Sequence, residues 1–102
     1  MTGRERLIPT IIDAADHTRY EATVGDEFAG FLEYKRRGSR IALIHTEVLP
    51  IFEGRGVAAA IVRFALDDAR RRGLRVIATC PYVKSYLARH PEDQDLVAAG
   101  AS

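Results

Sequence analysis

Glu53-Gly54-Arg55-Gly56-Val57-Ala58-Ala59 joins an apolar strand segment to an amphipathic helix. The start of a helix leaves several backbone N–H groups unpaired and carries partial positive charge. Gly54 and Gly56 lack the side chains that would keep a bulky anion from these donors, and Arg55 adds a cation. The stretch therefore predicts a phosphate or pyrophosphate site. The alternative is a plain strand-to-helix turn that needs glycine for its backbone angles.

Two other phosphate motifs do not fit this turn. A P-loop would continue with Gly-Lys-Ser or Gly-Lys-Thr, which the sequence lacks here. In a dinucleotide fingerprint, Ala59 would take the place of the third glycine, but the acidic residue that should follow on a second strand is missing. The anion is therefore expected to be held by a third kind of loop.

Outward from this turn, the first half of the chain has the alternating pattern of strands and the second half adds helical spacing. Arg70–Arg72 followed by Gly73 is typical of a helix end, because cations favour the negative dipole end and glycine favours the terminating conformation. The predicted strands are Thr10–Asp13, Arg19–Val24, Phe28–Tyr34, Arg40–Leu49 and Leu74–Thr79, and the predicted helices are Ala58–Arg72 and Pro81–Arg89.

This order predicts an α+β fold: a mixed, mostly antiparallel sheet with a strand-helix-strand crossover and a C-terminal helix. Ile41–Ile44 is apolar at every position, which suits a central strand covered on both faces. Lys35–Arg40 is predicted to be a polar loop. Residues 1–9 and 97–102 are expected to be loosely ordered.

Composition limits the classes of function. The chain has 102 residues, enough for a single small domain over 1–102, and 15 basic against 14 acidic residues leave a net charge of +1. This balance argues against nucleic acid or a membrane surface as partner. The single cysteine, Cys80, excludes an internal disulfide and a cysteine-rich zinc site, and no metal ligand set is recognised. A reduced, cytoplasmic protein is expected.

Three segments in register resemble one family. They are His45-Thr46-Glu47-Val48, Glu53-Gly54-Arg55-Gly56 and Cys80-Pro81-Tyr82-Val83, the last followed by Tyr86 and Arg89-His90-Pro91. Their order and spacing are similar to the short, single-domain branch of the GNAT superfamily of acetyl-CoA-dependent N-acetyltransferases, over about residues 19–96. Glu53 departs from the Gln or Arg of the wider superfamily, so backbone donors must hold the pyrophosphate.

The resemblance implies acetyl-CoA as co-substrate, with its pyrophosphate on the glycine turn and its pantetheine arm along the strand before it. The implied cofactor-binding residues are Thr46, Val48, Glu53, Gly54, Arg55, Gly56, Val57, Ala58, Ala59, Tyr82, Lys84 and Arg89. For Lys84 and Arg89 the alternative is solvated surface charge. The chain lacks the extra segments that complete the acceptor pocket in larger members, so an open acceptor site, or one completed in a homodimer, is expected.

Cys80 is the sharpest candidate for chemistry. It ends a strand just before Pro81 opens a helix, a placement predicted to lower the pKa of the thiol and favour the thiolate. By resemblance it lies beside the acetyl-CoA thioester, either carrying the acetyl group or lining the pocket. The alternative is an inert core cysteine.

His45 and Glu47 are two apart on a strand and so share a face. Either side chain could take a proton from the attacking amine. The alternatives are a hydrogen-bonded core histidine and an exposed or salt-bridged glutamate. Tyr82 and Tyr86 share a helix face, and Tyr86 is the candidate acid for the leaving CoA thiolate. Packing is the alternative for both tyrosines.

The predicted function is transfer of an acetyl group from acetyl-CoA to an amine, either a small molecule or a protein. The second hypothesis is a module of the same fold that binds CoA, acyl-CoA or a protein partner without turnover. The missing acceptor-side segments favour the second hypothesis, whereas Cys80 and Glu47 near the thioester favour the first.

Overall fold

A computed structural model describes residues 6–98 of the chain, and five strands within them form one sheet. The strands are β1 (Thr10–Ala14), β2 (Arg19–Val24), β3 (Glu27–Arg37), β4 (Arg40–Val48) and β5 (Arg75–Ala78). They lie in the order β1-β2-β3-β4-β5; the first four are antiparallel and β5 is parallel to β4. The predicted α+β class and the mixed, mostly antiparallel sheet are confirmed.

Two helices follow the predicted periods. Helix α1 covers Val57–Arg72 and connects β4 to β5, and α2 covers Pro81–Arg89. Short 3-10 helices occupy Ala15–His17, Pro50–Phe52 and Pro91–Leu96. Gly73 ends α1 in the left-handed conformation, as the sequence predicts.

The hairpin between β3 and β4 is tighter than predicted. Lys35, Arg36 and Arg37 belong to β3 and pair with β4, so Gly38 and Ser39 alone form the turn. Gly38 has φ +58°, and this left-handed residue lets the strands pair to their ends. The sequence did not predict this part of the strand, because the side chains of Lys35–Arg37 are polar and point to solvent at the end of the hairpin.

The core lies between the sheet and α1. Tyr20, Leu32 and Leu43 on the sheet are buried together with Ile61 and Leu66 of the helix. Burial of this apolar surface is the main force that holds α1 on the sheet. The opposite face of β4 is less covered than predicted, since its residues 42 and 44 are half-buried.

The segment after α2 is more ordered than predicted. The Ala98 N–H donates to the Val76 carbonyl at 2.8 Å, so residues 97 and 98 extend the β5 edge. Leu96 is buried, and the Asp93 carboxylate accepts two hydrogen bonds from Arg63. Backbone hydrogen bonds hold Ala98 at β5 and Leu7 at the carbonyl of Arg55, although both residues lie in stretches expected to be loosely ordered. Residues 1–5 and 99–102 lie outside the described part of the chain.

A β-bulge in β4 sets up the functional end of the sheet. Leu43 pairs with Tyr34 and His45 pairs with Glu33, so Ile44 is an extra residue between the two pairs. Pairing between β4 and β5 stops at Leu43, whose carbonyl accepts from the N–H groups of residues 79 and 80. Beyond this point the two parallel strands separate.

Candidate functional site

The glycine turn has the backbone that its sequence predicts. Gly54 has φ +74° and Gly56 has φ +89°, both in the region that favours glycine. Gly56 is the N-cap of α1, and no side chain of the described residues caps this helix end. The amide of Ala60 makes the helical bond to the Gly56 carbonyl. The amides that precede Ala60 are thus available to an anion.

A cavity of about 510 Å³ opens at this turn and extends to the end of β4. Its volume falls within the range of small-molecule sites. The residues that line it are Arg6, Thr46, Val48, Phe52, Glu53, Gly54, Gly56, Val57, Ala58, Ala59, Tyr82 and Arg89. The structure therefore brings the turn, the strand before it and α2 together around one space.

Most of the predicted cofactor-binding residues line this cavity, but two do not. Arg55 and Lys84 are not among the lining residues. Phe52 and Arg6 line it although the sequence reading did not select them. Phe52 could have been found, as a large apolar residue next to the motif. No local signal marks Arg6, which is far from the motif in sequence.

Thr46 connects the cavity to Cys80. The Thr46 hydroxyl lies 3.4 Å from Cys80 Sγ, at the point where β4 and β5 separate. Cys80 is 3% exposed and is not a lining residue of the cavity. Cys80 is also the N-cap residue of α2, with Pro81 in the first turn. The thiol is therefore placed one side chain behind the cavity wall.

His45 and Glu47 lie on the other face of β4. Their side chains are 54% and 61% exposed, and His45 Nε2 is 3.0 Å from Glu47 Oε1. The ring of His45 contacts that of Phe31 on β3, with centroids 6.0 Å apart. The predicted shared face is present, and a core role for His45 is wrong because the bulge directs the ring to solvent. The pair does not line the cavity.

The two tyrosines of α2 have different surroundings. Tyr82 lines the cavity, and burial raises the pKa of its phenol while the nearby Arg89 and Arg6 act in the opposite direction. Tyr86 is buried and stacks on His90 with centroids 4.1 Å apart. The structure thus places Tyr82, rather than Tyr86, at the cavity. The roles of both remain predictions.

The far end of α1 carries a network of ion pairs. Arg70 contacts Asp95 at 2.8 Å, while Arg71 and Arg72 contact Asp68. These acids neutralise the basic run Arg70–Arg72 at the end of α1. Within residues 6–98, the side chains of His90, Glu92 and Asp93 form one group with ligand atoms close together, but the carboxylate of Asp93 is engaged by arginine.

Comparison with known proteins gives the family. A model described as GCN5-related N-acetyl-transferase matches residues 19–96. The chain is 35% identical over 85 residues to Protein NATD1 of Gallus gallus, covering 79% of this chain and 77% of the relative. The identity to Protein NATD1 of Homo sapiens is also 35%, over 79% of this chain and 75% of that protein.

A solved structure shares the fold. It is the NMR solution structure of a GCN5-like candidate N-acetyltransferase from Staphylococcus aureus, with a TM-score of 0.67 and 21% identity over 96% of this chain and 91% of that one. No helix among residues 6–98 has the length and apolarity needed to span a membrane. The matched residues include the glycine turn, the end of β4 and α2, and the chain belongs to the GCN5-related N-acetyltransferase family.

Proposed function

We propose that this protein transfers an acetyl group from acetyl-CoA to an amine. The observation that carries the proposal is the cavity of about 510 Å³ that joins the uncapped start of α1 to the end of β4. Backbone N–H groups at a helix start suit a pyrophosphate. The two left-handed glycines leave these groups uncovered. Family membership supports acetyl-CoA as the ligand of this cavity.

The separated strands suit the pantetheine arm. Thr46 and Val48 line the cavity beyond the last β4–β5 pair, where β4 still pairs with β3 but no described strand pairs with its other edge. An amide-containing chain can add to such an edge as an extra strand does. Bound in this way, with its pyrophosphate at Gly56, acetyl-CoA would extend its thioester toward Thr46 and Cys80.

In the proposed reaction the neutral amine attacks the thioester carbonyl, and the C–S bond breaks to release CoA thiolate. Glu47 is the proposed base for the amine proton, directly or through water, with His45 as its hydrogen-bonded neighbour. Both face the open side of β4, which leaves an amine free to approach from solvent. Tyr82 and Tyr86 are the proposed donors of a proton to the thiolate, because a phenol is a protonated hydrogen-bond donor at neutral pH.

A CoA-binding module without turnover is the second candidate. It is favoured by one specific observation: Cys80, Glu47, Tyr86 and His45 all lie outside the lining of the cavity. Thermal unfolding with acetyl-CoA, CoA and ATP in parallel tests binding, because a ligand of the native state raises the midpoint. Release of free CoA thiol with a panel of amines then separates the enzyme from the module. Binding without release in any case supports the module.

Glu47→Gln tests the base. Turnover should fall roughly 10²-fold, with a changed pH profile and nearly unchanged CoA affinity. Glu27→Gln is the matched control, because Glu27 is an exposed carboxylate at the start of β3. Equal rates for Glu47→Gln and wild type across pH 6 to 9 would assign Glu47 a structural role.

Two variants separate the roles proposed for Cys80. If the thiol carries the acetyl group, incubation with acetyl-CoA alone adds one acetyl mass to the protein, and Cys80→Ser loses both label and turnover. If the thiol only shapes the wall behind Thr46, Cys80→Ala keeps most activity and no label forms on the cysteine. Direct attack by the amine would then be the mechanism.

A further inference from the structure

The segment that contains Arg6 lies across the glycine turn. The backbone N–H of Leu7 donates to the carbonyl of Arg55 at 2.9 Å. The Leu7 side chain is half-buried and packs against the core. These two contacts fix the backbone next to Arg6 at the turn, although almost 50 residues separate the two segments in sequence.

The Arg6 side chain reaches into the space that Gly56 leaves open. A Cβ atom on Gly56 would be only 2.5 Å from Arg6 Nη1. No described atom comes within 4 Å of a Cβ at Gly54, in contrast. The guanidinium therefore rests against the N-cap of α1, and glycine is needed there both for φ +89° and for this close approach.

This position is electrostatically unfavourable without an anion. A cation at a helix N-terminus faces the positive end of the helix dipole, where carboxylates and phosphates are favoured. The guanidinium and the first amides of α1 are both hydrogen-bond donors. An anion between them would accept bonds from both. The charged side chains lining the cavity within residues 6–98 are Arg6, Arg89 and Glu53, so Arg6 makes their balance positive.

We infer that Arg6 is a binding residue for the pyrophosphate of CoA and supplies the side-chain cation that the turn was expected to take from Arg55. The inference rests on the proposed function, because it concerns the same cavity. A guanidinium forms paired, charge-assisted hydrogen bonds with phosphate oxygens. Its contact with Gly56 assigns Arg6 to the pyrophosphate and not to the 3′-phosphate of the nucleotide.

Calorimetric titration of CoA into four proteins tests this role: wild type, Arg6→Ala, Arg6→Lys and the control Arg37→Ala. Arg37 is an exposed arginine at the end of β3, so its loss changes the net charge equally. We expect Arg6→Ala to weaken CoA binding about 10-fold. Arg6→Lys should recover part of the affinity, and Arg37→Ala should match wild type. The thermal midpoints without ligand should agree, since Arg6 is exposed.

Dephospho-CoA, which keeps the pyrophosphate and lacks the 3′-phosphate, identifies the group contacted. The loss caused by Arg6→Ala should be the same with this ligand as with CoA. A loss that disappears with dephospho-CoA would overturn the assignment to the pyrophosphate. Wild-type affinity of Arg6→Ala for CoA would overturn the role of Arg6 and leave the proposed function intact. If wild type itself binds neither ligand, the proposed function fails.

Discussion

The two ends of helix α1 differ in how their backbone groups are satisfied. At the C-terminus, the Gly73 N–H bonds to the carbonyls of residues 69 and 70, and arginines of the last turn pair with acids. At the N-terminus, the cap is Gly56, no side chain of the described residues bonds to the first amides, and a cation rests nearby. Helix α1 therefore has a C-terminus whose backbone groups are paired and an N-terminus whose first N–H groups are available to a ligand.

The contrast separates stability from binding. Buried or partly buried polar groups in proteins are nearly always paired, and many helices pair their first N–H groups with the side chain of a Ser or Asp N-cap. Gly56 has no side chain to do so and leaves these donors to a ligand. The C-terminal ion pairs tie α1 to the segment that contains Asp93 and Asp95. Changes at the N-terminal end should thus affect affinity, and changes at the C-terminal end should affect folding.

The largest effect is expected at Gly56. In Gly56→Glu a carboxylate would occupy the space beside Arg6 and repel phosphate, and CoA affinity should fall at least roughly 100-fold. Gly25→Glu is the matched control, because Gly25 has φ +61° and open space around it. Both variants should lose about 1 kcal/mol of stability to backbone strain. Calorimetry that finds equal CoA affinity in the two variants would remove the turn from the site.

The second largest effect is expected from the ion pairs that tie α1 to the segment containing Asp93. Asp93→Asn should lower the free energy of unfolding by about 2 kcal/mol, because the Asp93 carboxylate is 3% exposed and accepts a paired contact from Arg63 at 2.7 and 2.9 Å. In the control Asp95→Asn, the carboxylate is 63% exposed, and the loss should stay below about 1 kcal/mol. Urea unfolding measures both. Weakened CoA binding in folded Asp93→Asn would contradict the assignment of binding to the N-terminal end of α1 and of stability to its C-terminal end.

Acid should lower the stability of the protein by protonating the Asp93 carboxylate. The hydrogen bond from Arg63 lowers the pKa of Asp93 below its ordinary 3.8. A carboxylate with a lowered folded-state pKa contributes stability above its unfolded pKa and loses it as the pH falls through the folded value. Wild type should therefore lose stability below about pH 4, by at most about 1.4 kcal/mol per pH unit from this proton. Denaturation of wild type and Asp93→Asn from pH 6 to 3 checks this, and parallel curves would contradict it.

The smallest effect is expected from Gly73→Ala. Gly73 has φ +71°, and a Cβ there would meet no described atom within 4 Å, so the cost is backbone strain alone. We expect a loss of about 1 kcal/mol in the free energy of unfolding, with CoA affinity unchanged. Thermal unfolding and calorimetry on one preparation measure both quantities. A drop in affinity larger than the drop in stability would show that the two ends are coupled.

Local pattern was enough to predict most of the fold. The apolar spacing from Ile61 to Ala69 and the terminal Gly73 gave α1 to within one residue, because helix periodicity and capping are local properties. The glycine turn was also predicted from its motif, and the residues of β4 that line the cavity were predicted from the resemblance to a family. The resemblance to a family supplied the ligand, which the pattern alone left as an unspecified phosphate.

The missed features depend on contacts between distant segments. Nothing near Arg6 marks it as part of the site, because its position follows from the Leu7–Arg55 hydrogen bond. The attachment of residues 97 and 98 to β5 was also not predicted, because a hydrogen bond such as that from the Ala98 N–H to the Val76 carbonyl cannot be read from the tail alone. The catalytic candidates were selected by type and strand, and the bulge at Ile44 set which face each one occupies.

The bulge at Ile44 also changes which residues of β4 face the core, from odd-numbered before it to even-numbered after it. Odd-numbered Leu43 faces the core, yet beyond Ile44 the even-numbered Thr46 and Val48 face the cavity and the odd-numbered His45 and Glu47 face solvent. A β4 of the same length without the bulge would alternate strictly and exchange the two sets of side chains, whereas deletion of Ile44 would remove the extra residue and keep both sets on their present faces. The chemistry of both faces thus depends on the single extra residue that the bulge accommodates in β4.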